Sequence, residues 1–244
     1  MSAPPAVNVL TVSIVLFQSP LAQLRDLIDS LIDSLSGAAI SHVHCVLVDH
    51  SLDLSYAEQC RALLTEYDAC EQIEFELLVS AHNRGYGAGH NLAMNSLSGT
   101  FHLILNPDVV LAPHAISAAL ETLETHNDCV LLAPVGAAPD GTSLDLAKAY
   151  PSVWALTLRA FAPLWLRRRS RAVARYELRN QPSDTLRPVP LASGCCMWVR
   201  RAAYDDAGGF DERYFLYFED FDLSMRMARH GAVLEHRELT IVHH

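Results

Sequence analysis

Lysine is almost missing from this 244-residue chain: Lys148 is the single example among 18 basic residues, and no G-x-x-x-x-G-K-[ST] lysine is present. That removes a P-loop reading, and the absence of G-x-G-x-x-G removes the dinucleotide fingerprint. Positive charge as a whole is short. Against 28 acidic residues it leaves a net charge of -10, which excludes a general attraction to nucleic-acid backbones. Cysteines at metal or redox spacing are lacking. Cys45, Cys60, Cys70, Cys129, Cys195 and Cys196 form no C-x-x-C pair and read as buried thiols of a reducing compartment. No uninterrupted run approaches the ~20 apolar residues of a membrane span. The N-terminus has neither the basic start nor the apolar stretch of a signal peptide, so the expected location is the cytoplasm.

What is present is a globular composition, 50% apolar and 19% charged, in a chain long enough for one large domain. Asn8 to Phe17, Val43 to Val48, Ile73 to Ser80, Phe101 to Leu105 and Cys129 to Pro134 are β-branched or apolar runs that predict buried strands. Helical spacing separates them over Pro20 to Leu35, Ser55 to Ala69, Ala88 to Leu97 and His114 to Thr125. Such alternation predicts an α/β fold, a Rossmann-like, mostly parallel central sheet with helices on both faces. Ligands bind such sheets beyond the carboxyl ends of the strands, where Gln18, Asp49, Asn83, Asn106 and Asp108 fall. The second half has turn signals, a Trp/Leu/Arg segment from Trp154 to Arg179, a strand over Val189 to Val199 interrupted at Ser193-Gly194, and a helix from Glu219 to His230. With no repeat and no linker, the expectation is a single domain over 1–244, whose first half (1–135) is nucleotide-binding in style and whose second half (136–244) completes the sheet and adds a lid.

Several clusters carry chemistry, each with a plainer reading beside it. N-R-G-Y-G-A-G-H-N, from Asn83 to Asn91, is either a backbone open to phosphate at a helix start or a tight strand-to-helix turn. In L-N-P-D, Asp108 stands on the sheet rim, able to hold Mg²⁺ or Mn²⁺ or simply to shape a β-turn. F-L-Y-F-E-D-F-D-L, from Phe215 to Leu223, sets acids among aromatic rings. Asp222 pairs with Arg226 at i,i+4, whereas Glu219 and Asp220 fall at a helix start, as a general base or as solvated caps. His243 and His244 are metal ligands, a solvated end or the remnant of a tag. Arg159, Arg167, Arg168, Arg169, Arg171, Arg175 and Arg179 crowd Trp154, Phe161 and Trp165. They suggest a peripheral contact with an anionic lipid surface on the inner membrane face, a pyrophosphate-bearing acceptor, or a solvated helix with snorkelling arginines.

In this order, V-S-I-V-L-F, V-L-V-D-H-S, the glycine-rich turn, L-N-P-D, S-G-C-C-M-W-V-R-R and G-G-F-D-E-R-Y-F-L-Y-F-E-D-F-D-L-S-M-R resemble the family 2 glycosyltransferases of GT-A fold, particularly the rhamnosyltransferase-like branch. The resemblance implies an inverting transfer of a sugar, rhamnose among the candidates, from a dTDP- or UDP-linked donor to a saccharide or lipid-linked acceptor in cell-surface polysaccharide synthesis. It implies Asp220, with Glu219 beside it, as the catalytic base, and Asp108 with His243 as the metal site for Mg²⁺ or Mn²⁺. It places Phe17, Gln18, Asp49, Asn83, Gly85, Gly87, Asn91, Asn106, Ser193 and Gly194 around the nucleotide sugar. Two positions depart from the pattern: His50 stands where Asn is frequent, and Asn106 replaces the first acid of D-x-D. A nucleotidyltransferase would need a glycine-rich basic loop that Phe17 to Leu24 does not offer. A lapsed enzyme retaining nucleotide-sugar binding or a scaffold role is the remaining alternative.

Overall fold

The computed structural model describes residues 10–38, 40–179 and 184–244; Asn8 and Val9, expected in the first strand, lie outside the described residues. The first half runs β1 (Leu10–Leu16), α1 (Leu21–Ser34), β2 (Val43–Asp49), α2 (Leu54–Thr65), β3 (Ile73–Val79), α3 (Tyr86–Met94), β4 (Phe101–Leu105), β5 (Val109–Leu111), α4 (Ala115–Thr125) and β6 (Cys129–Ala137). It continues with β7 (Ser143–Leu144), β8 (Ala147–Lys148), α5 (Val153–Phe161), α6 (Leu164–Arg169), α7 (Arg171–Tyr176), β9 (Leu186–Pro188), β10 (Leu191–Ala192), β11 (Cys196–Arg200), α8 (Arg201–Asp206), α9 (Glu219–Met227) and β12 (Ala232–His243).

All seven residues of β1 are buried, because β2 and β4 flank it and helices cover both faces; this is why the run is apolar rather than alternating. In α1, Leu24, Leu27, Ile28 and Leu31 form one fully buried stripe, each contributing roughly 1.5–3 kcal/mol by burial. Asp53 starts α2 by accepting from the backbone N–H groups of Ser55 (2.8 Å) and Tyr56 (3.3 Å).

The sheet order is β3-β2-β1-β4-β11-β6-β12-β5. The expected parallel pairing holds for β3, β2, β1 and β4. Beyond β4 the pattern changes: β11 wedges antiparallel between β4 and β6, β12 runs parallel to β6, and β5 closes the path antiparallel to β12. The sheet is mixed though mostly parallel, and the two halves of the chain interleave within it. The strand expected over Val189 to Val199 is two pieces in two sheets, with β10 pairing β8 while β11 joins the main sheet, so the Ser193–Gly194 turn is free to face the site.

One polar chain crosses this core. Thr11 Oγ1 lies 2.8 Å from His102 Nδ1, His102 Nε2 lies 2.8 Å from Ser13 Oγ, and Ser13 Oγ lies 2.6 Å from His90 Nδ1. Both rings are fully buried, and burial holds both below the usual histidine range, His102 at about 3.

Candidate active site

At the carboxyl ends of β1, β2 and β4, two small clefts share the side chains of Tyr86 and Leu216. One, of about 260 Å³, is lined by Val15, Phe17, His50, Asn83, Gly85 and Phe215. The other, of about 230 Å³, is lined by Asn106, Ser193, Gly194, Cys195, Tyr217, Glu219, Asp220 and His243.

The acid-and-ring segment is ordered inside out. Phe215 is 58% exposed and Tyr217 73%, whereas Glu219 is only 4% exposed. Tyr217 and Phe218 cause this reversal. Both adopt left-handed φ near +70°, a conformation that costs non-glycine residues energy and sharply redirects the chain into α9. Asp220 is then fixed at the first turn. Its Oδ2 accepts from Gly194 N (2.9 Å), its Oδ1 from Phe221 N (2.8 Å), and Tyr86 Oη donates to Gly194 O (2.6 Å). Burial raises the Asp220 carboxyl, partly countered by these N–H donors, and burial also raises Glu219. Glu219 Oε2 is buried without a hydrogen-bond partner among the described residues. Asp222 is structural, as its spacing suggested: it accepts from Arg226 Nε at 2.7 Å, while Arg226 Nη1 ties down the carbonyls of Ala207 and Gly209.

Asp108 and His243 meet because β5 pairs with the end of β12. Asp108 Oδ1 is buried 3.2 Å from His243 Nε2, and Asn106 Nδ2 lies 3.4 Å from the same nitrogen. The described residues hold no group of three or more His, Cys, Asp or Glu placed to bind a metal. A single carboxylate with one imidazole nevertheless fits a divalent cation whose remaining positions are taken by ligand oxygens and water, and the mixed O/N pair suits Mn²⁺ better than Mg²⁺.

Four residues expected at the nucleotide sugar line neither cleft. Asp49 is fully buried, its charge felt by Tyr56 and Cys60 of α2; its Oδ1 accepts from Ser51 N at 2.8 Å and its Oδ2 has no hydrogen-bond partner among the described residues. Gln18 is exposed, its backbone N–H bound to Ser51 Oγ (2.7 Å), and its side chain lines neither cleft. Gly87 sits inside α3, where a Cβ would meet Phe210 at 2.7 Å. Asn91 clamps the 204–212 segment: its Oδ1 accepts from Phe210 N (2.9 Å) and Tyr204 Oη (2.7 Å), and its Nδ2 donates to Phe210 O (2.8 Å). The glycine-rich turn therefore divides: Asn83 and Gly85 line a cleft, while α3 begins at Tyr86 and carries Gly87 and Gly89 within it. Sequence reasoning passed over Tyr86, which borders both clefts; its only signal was a ring set between two glycines.

Gly85 is the position where glycine is demanded most strictly. Its φ of +93° and ψ of 175° fall in a region essentially restricted to glycine, and a Cβ would lie 2.1 Å from Phe215 O. Gly85→Ala is expected to cost about 1–3 kcal/mol from the backbone alone, and more from pushing Phe215 aside. Gly141→Ala, at φ +81° with nothing near its Cβ, should cost only the backbone part. Thermal unfolding of the two variants compares them; equal losses would remove the close approach as the reason for glycine at 85.

Residues 11–208 match the family model for glycosyl transferase family 2. An N-acetylglucosaminyl-diphospho-decaprenol L-rhamnosyltransferase of Mycobacterium tuberculosis is 35% identical over 167 residues, 64% of this chain and 53% of that protein. A low-salt glycan biosynthesis hexosyltransferase of Haloferax volcanii is 23% identical over 178 residues, 66% of this chain and 48% of that one. The chain spans about half the length of the curated relatives it matches. Among solved structures, a mannosyltransferase from Pyrobaculum calidifontis in complex with GDP-Man and Mn²⁺ superposes with a TM-score of 0.65 at 13% identity, covering 96% of this chain and 56% of that one. GalNAc-T7 with UDP, GalNAc and Mn²⁺ gives 0.68 at 13% identity, covering 98% and 44%. These likenesses establish the fold as GT-A.

Proposed function

The chain belongs to glycosyl transferase family 2, and from that membership we propose that it moves a hexose, rhamnose by preference, from a pyrimidine nucleoside-diphosphate donor to a lipid-linked saccharide in cell-surface polysaccharide synthesis. One juxtaposition carries the reading: Asp220 and His243, the latter 3.2 Å from Asp108, line the same cleft. In this reading the nucleobase occupies the neighbouring cleft, against Phe17, His50 and Tyr86. The sugar then sits before Gly194 and Asp220, with its diphosphate towards Asn106 and His243.

Asp220 accepts the proton of the acceptor hydroxyl as that oxygen bonds to the anomeric carbon, while the carbon–oxygen bond to the diphosphate breaks. Attack opposite the leaving group inverts the anomeric centre. Burial makes the Asp220 carboxylate a stronger base than a solvated aspartate, and the Gly194 and Phe221 N–H groups hold it in place. Asp108 and His243 would hold Mn²⁺ or Mg²⁺, which supplies charge neutralisation to the diphosphate. The ring of Tyr217, 73% exposed where it lines the Asp220 cleft, offers the acceptor sugar an apolar platform.

Calorimetry with UDP-, dTDP- and GDP-linked sugars, with and without Mn²⁺, tests this. One pyrimidine-linked donor should bind, and bind more tightly with metal. No binding by any donor under either condition would defeat the proposal.

A further inference from the structure

The segment that the site does not use is the run of short helices α5, α6 and α7. Six of the chain's 18 basic residues lie within 153–176, which contains no Asp or Glu, although the protein as a whole is strongly acidic. Arg159 is engaged, close to buried Glu177 and over the Tyr176 ring. Arg167, Arg168, Arg169, Arg171 and Arg175 have no ion pair among the described residues. Interleaved with them are apolar side chains held in water: Val153 is 84% exposed, Phe161 85%, Trp154 64% and Trp165 62%. No residue of α6 is buried, and Leu164, Trp165, Arg168 and Arg169 line an open groove.

The arm is nevertheless firmly rooted. Ala149 N donates to Tyr176 O (2.8 Å), Lys148 lies over the Tyr176 ring, β8 pairs with β10, and Ala192 N of β10 donates to Ser224 Oγ (3.1 Å) on α9, the helix that carries Asp220. The chain then passes directly from β10 into Ser193 and Gly194.

We propose that α5, α6 and α7 form an arm that docks on an anionic lipid bilayer, with Trp154, Phe161 and Trp165 entering the interface and the free arginines meeting lipid phosphates. An anionic bilayer satisfies both halves of the observation at once. A soluble polyanion would pair the guanidinium groups but leave the apolar tips in water, and a neutral apolar partner would leave the charges unmatched. Through β8 and β10 the docked arm sets the catalytic cleft at a fixed distance from the membrane. That consequence, and no other part of the proposal, rests on the lipid-linked acceptor suggested above.

The test uses the whole chain without donor or acceptor, floated with vesicles of phosphatidylcholine alone or with about one-third phosphatidylglycerol, the lipid fraction chosen for a strong surface potential. The parent should bind the anionic vesicles with a blue shift of tryptophan emission, and bind the neutral ones weakly. Arg167→Gln, Arg168→Gln and Arg169→Gln combined should lower that affinity about a hundred-fold, at about five-fold per charge. Trp154→Ser with Trp165→Ser should lower it as well and abolish the blue shift, since Trp198 is buried. Arg168, Arg169, Trp154 and Trp165 are exposed and half-buried Arg167 has no ion pair among the described residues, so melting temperatures should stay close to the parent value. Arg61→Glu, on α2, should bind as the parent does. Absence of vesicle binding, or a tryptophan double variant that binds like the parent, overturns the docking arm. Because no donor is present, neither result bears on the transferase reading.

Discussion

Replacing Asp220 with asparagine is expected to lower glycosyl transfer by about 10²–10⁴ while leaving donor affinity within a few-fold. The loss follows from removing the proton acceptor at unchanged shape. In the parent, burial raises the carboxyl and two backbone N–H groups aim it, so in the proposed reaction the side chain would be oriented and more basic than in water. Asparagine has a single acceptor oxygen. Either Gly194 N or Phe221 N must then face an amide N–H instead, a loss of about 1–3 kcal/mol in stability. That corresponds to a melting-point drop of several degrees in a domain of this size, small enough for the variant to remain folded at assay temperature. Initial rates with saturating donor, read beside donor calorimetry, separate the two effects. Transfer at the parent rate would remove Asp220 from the role of base.

A second large effect is expected on acidification. His90 and His102 are neutral in the folded protein because burial, the leading cause for both, penalises the charged ring; His102 is further lowered by Arg201, and His90 by His102 and His50. Their folded values lie below the unfolded value of about 6.5, so the unfolded chain binds the extra protons. Stability is therefore fully present above about pH 6.5 and is lost as pH falls, down to about 3 for His102. While both rings are neutral folded and charged unfolded, the slope is about 2.7 kcal/mol per pH unit, from about 1.4 for each proton. Glu219 and Asp220, raised by burial, act in the opposite sense within the carboxylate range, so the histidine signature is cleanest between about pH 6.5 and 5. Urea unfolding across that interval checks it. A flat midpoint would mean that water reaches the Ser13–His90–His102 chain.

The sequence carried much of this in local form. Buried strands announced themselves as apolar β-branched runs, α1 as a three-four spacing of leucines, and the Asp222–Arg226 pair as an i,i+4 contact realised at 2.7 Å. Asp108 was legible because a strand followed by Asn-Pro-Asp leaves few places for a carboxylate other than the rim. Gly85, Gly87 and Asn91 were legible as special but not as to kind. Nothing within nine residues says that Gly85 presses on Phe215, or that Asn91 holds Phe210.

By itself, then, the sequence determined the main strands and helices up to residue 134, the helix at Glu219 and which few acids stand at their ends, since those properties are written in windows shorter than a helix. Only the tertiary structure decided that β11 separates β4 from β6, that the rings before Asp220 face outward while Glu219 turns in, and that Asp49 is fully buried. The reason is that strand pairing and side-chain burial are set by contacts between residues distant in the chain. Two left-handed residues, Tyr217 and Phe218, reverse a whole segment's solvent preference without altering its local pattern.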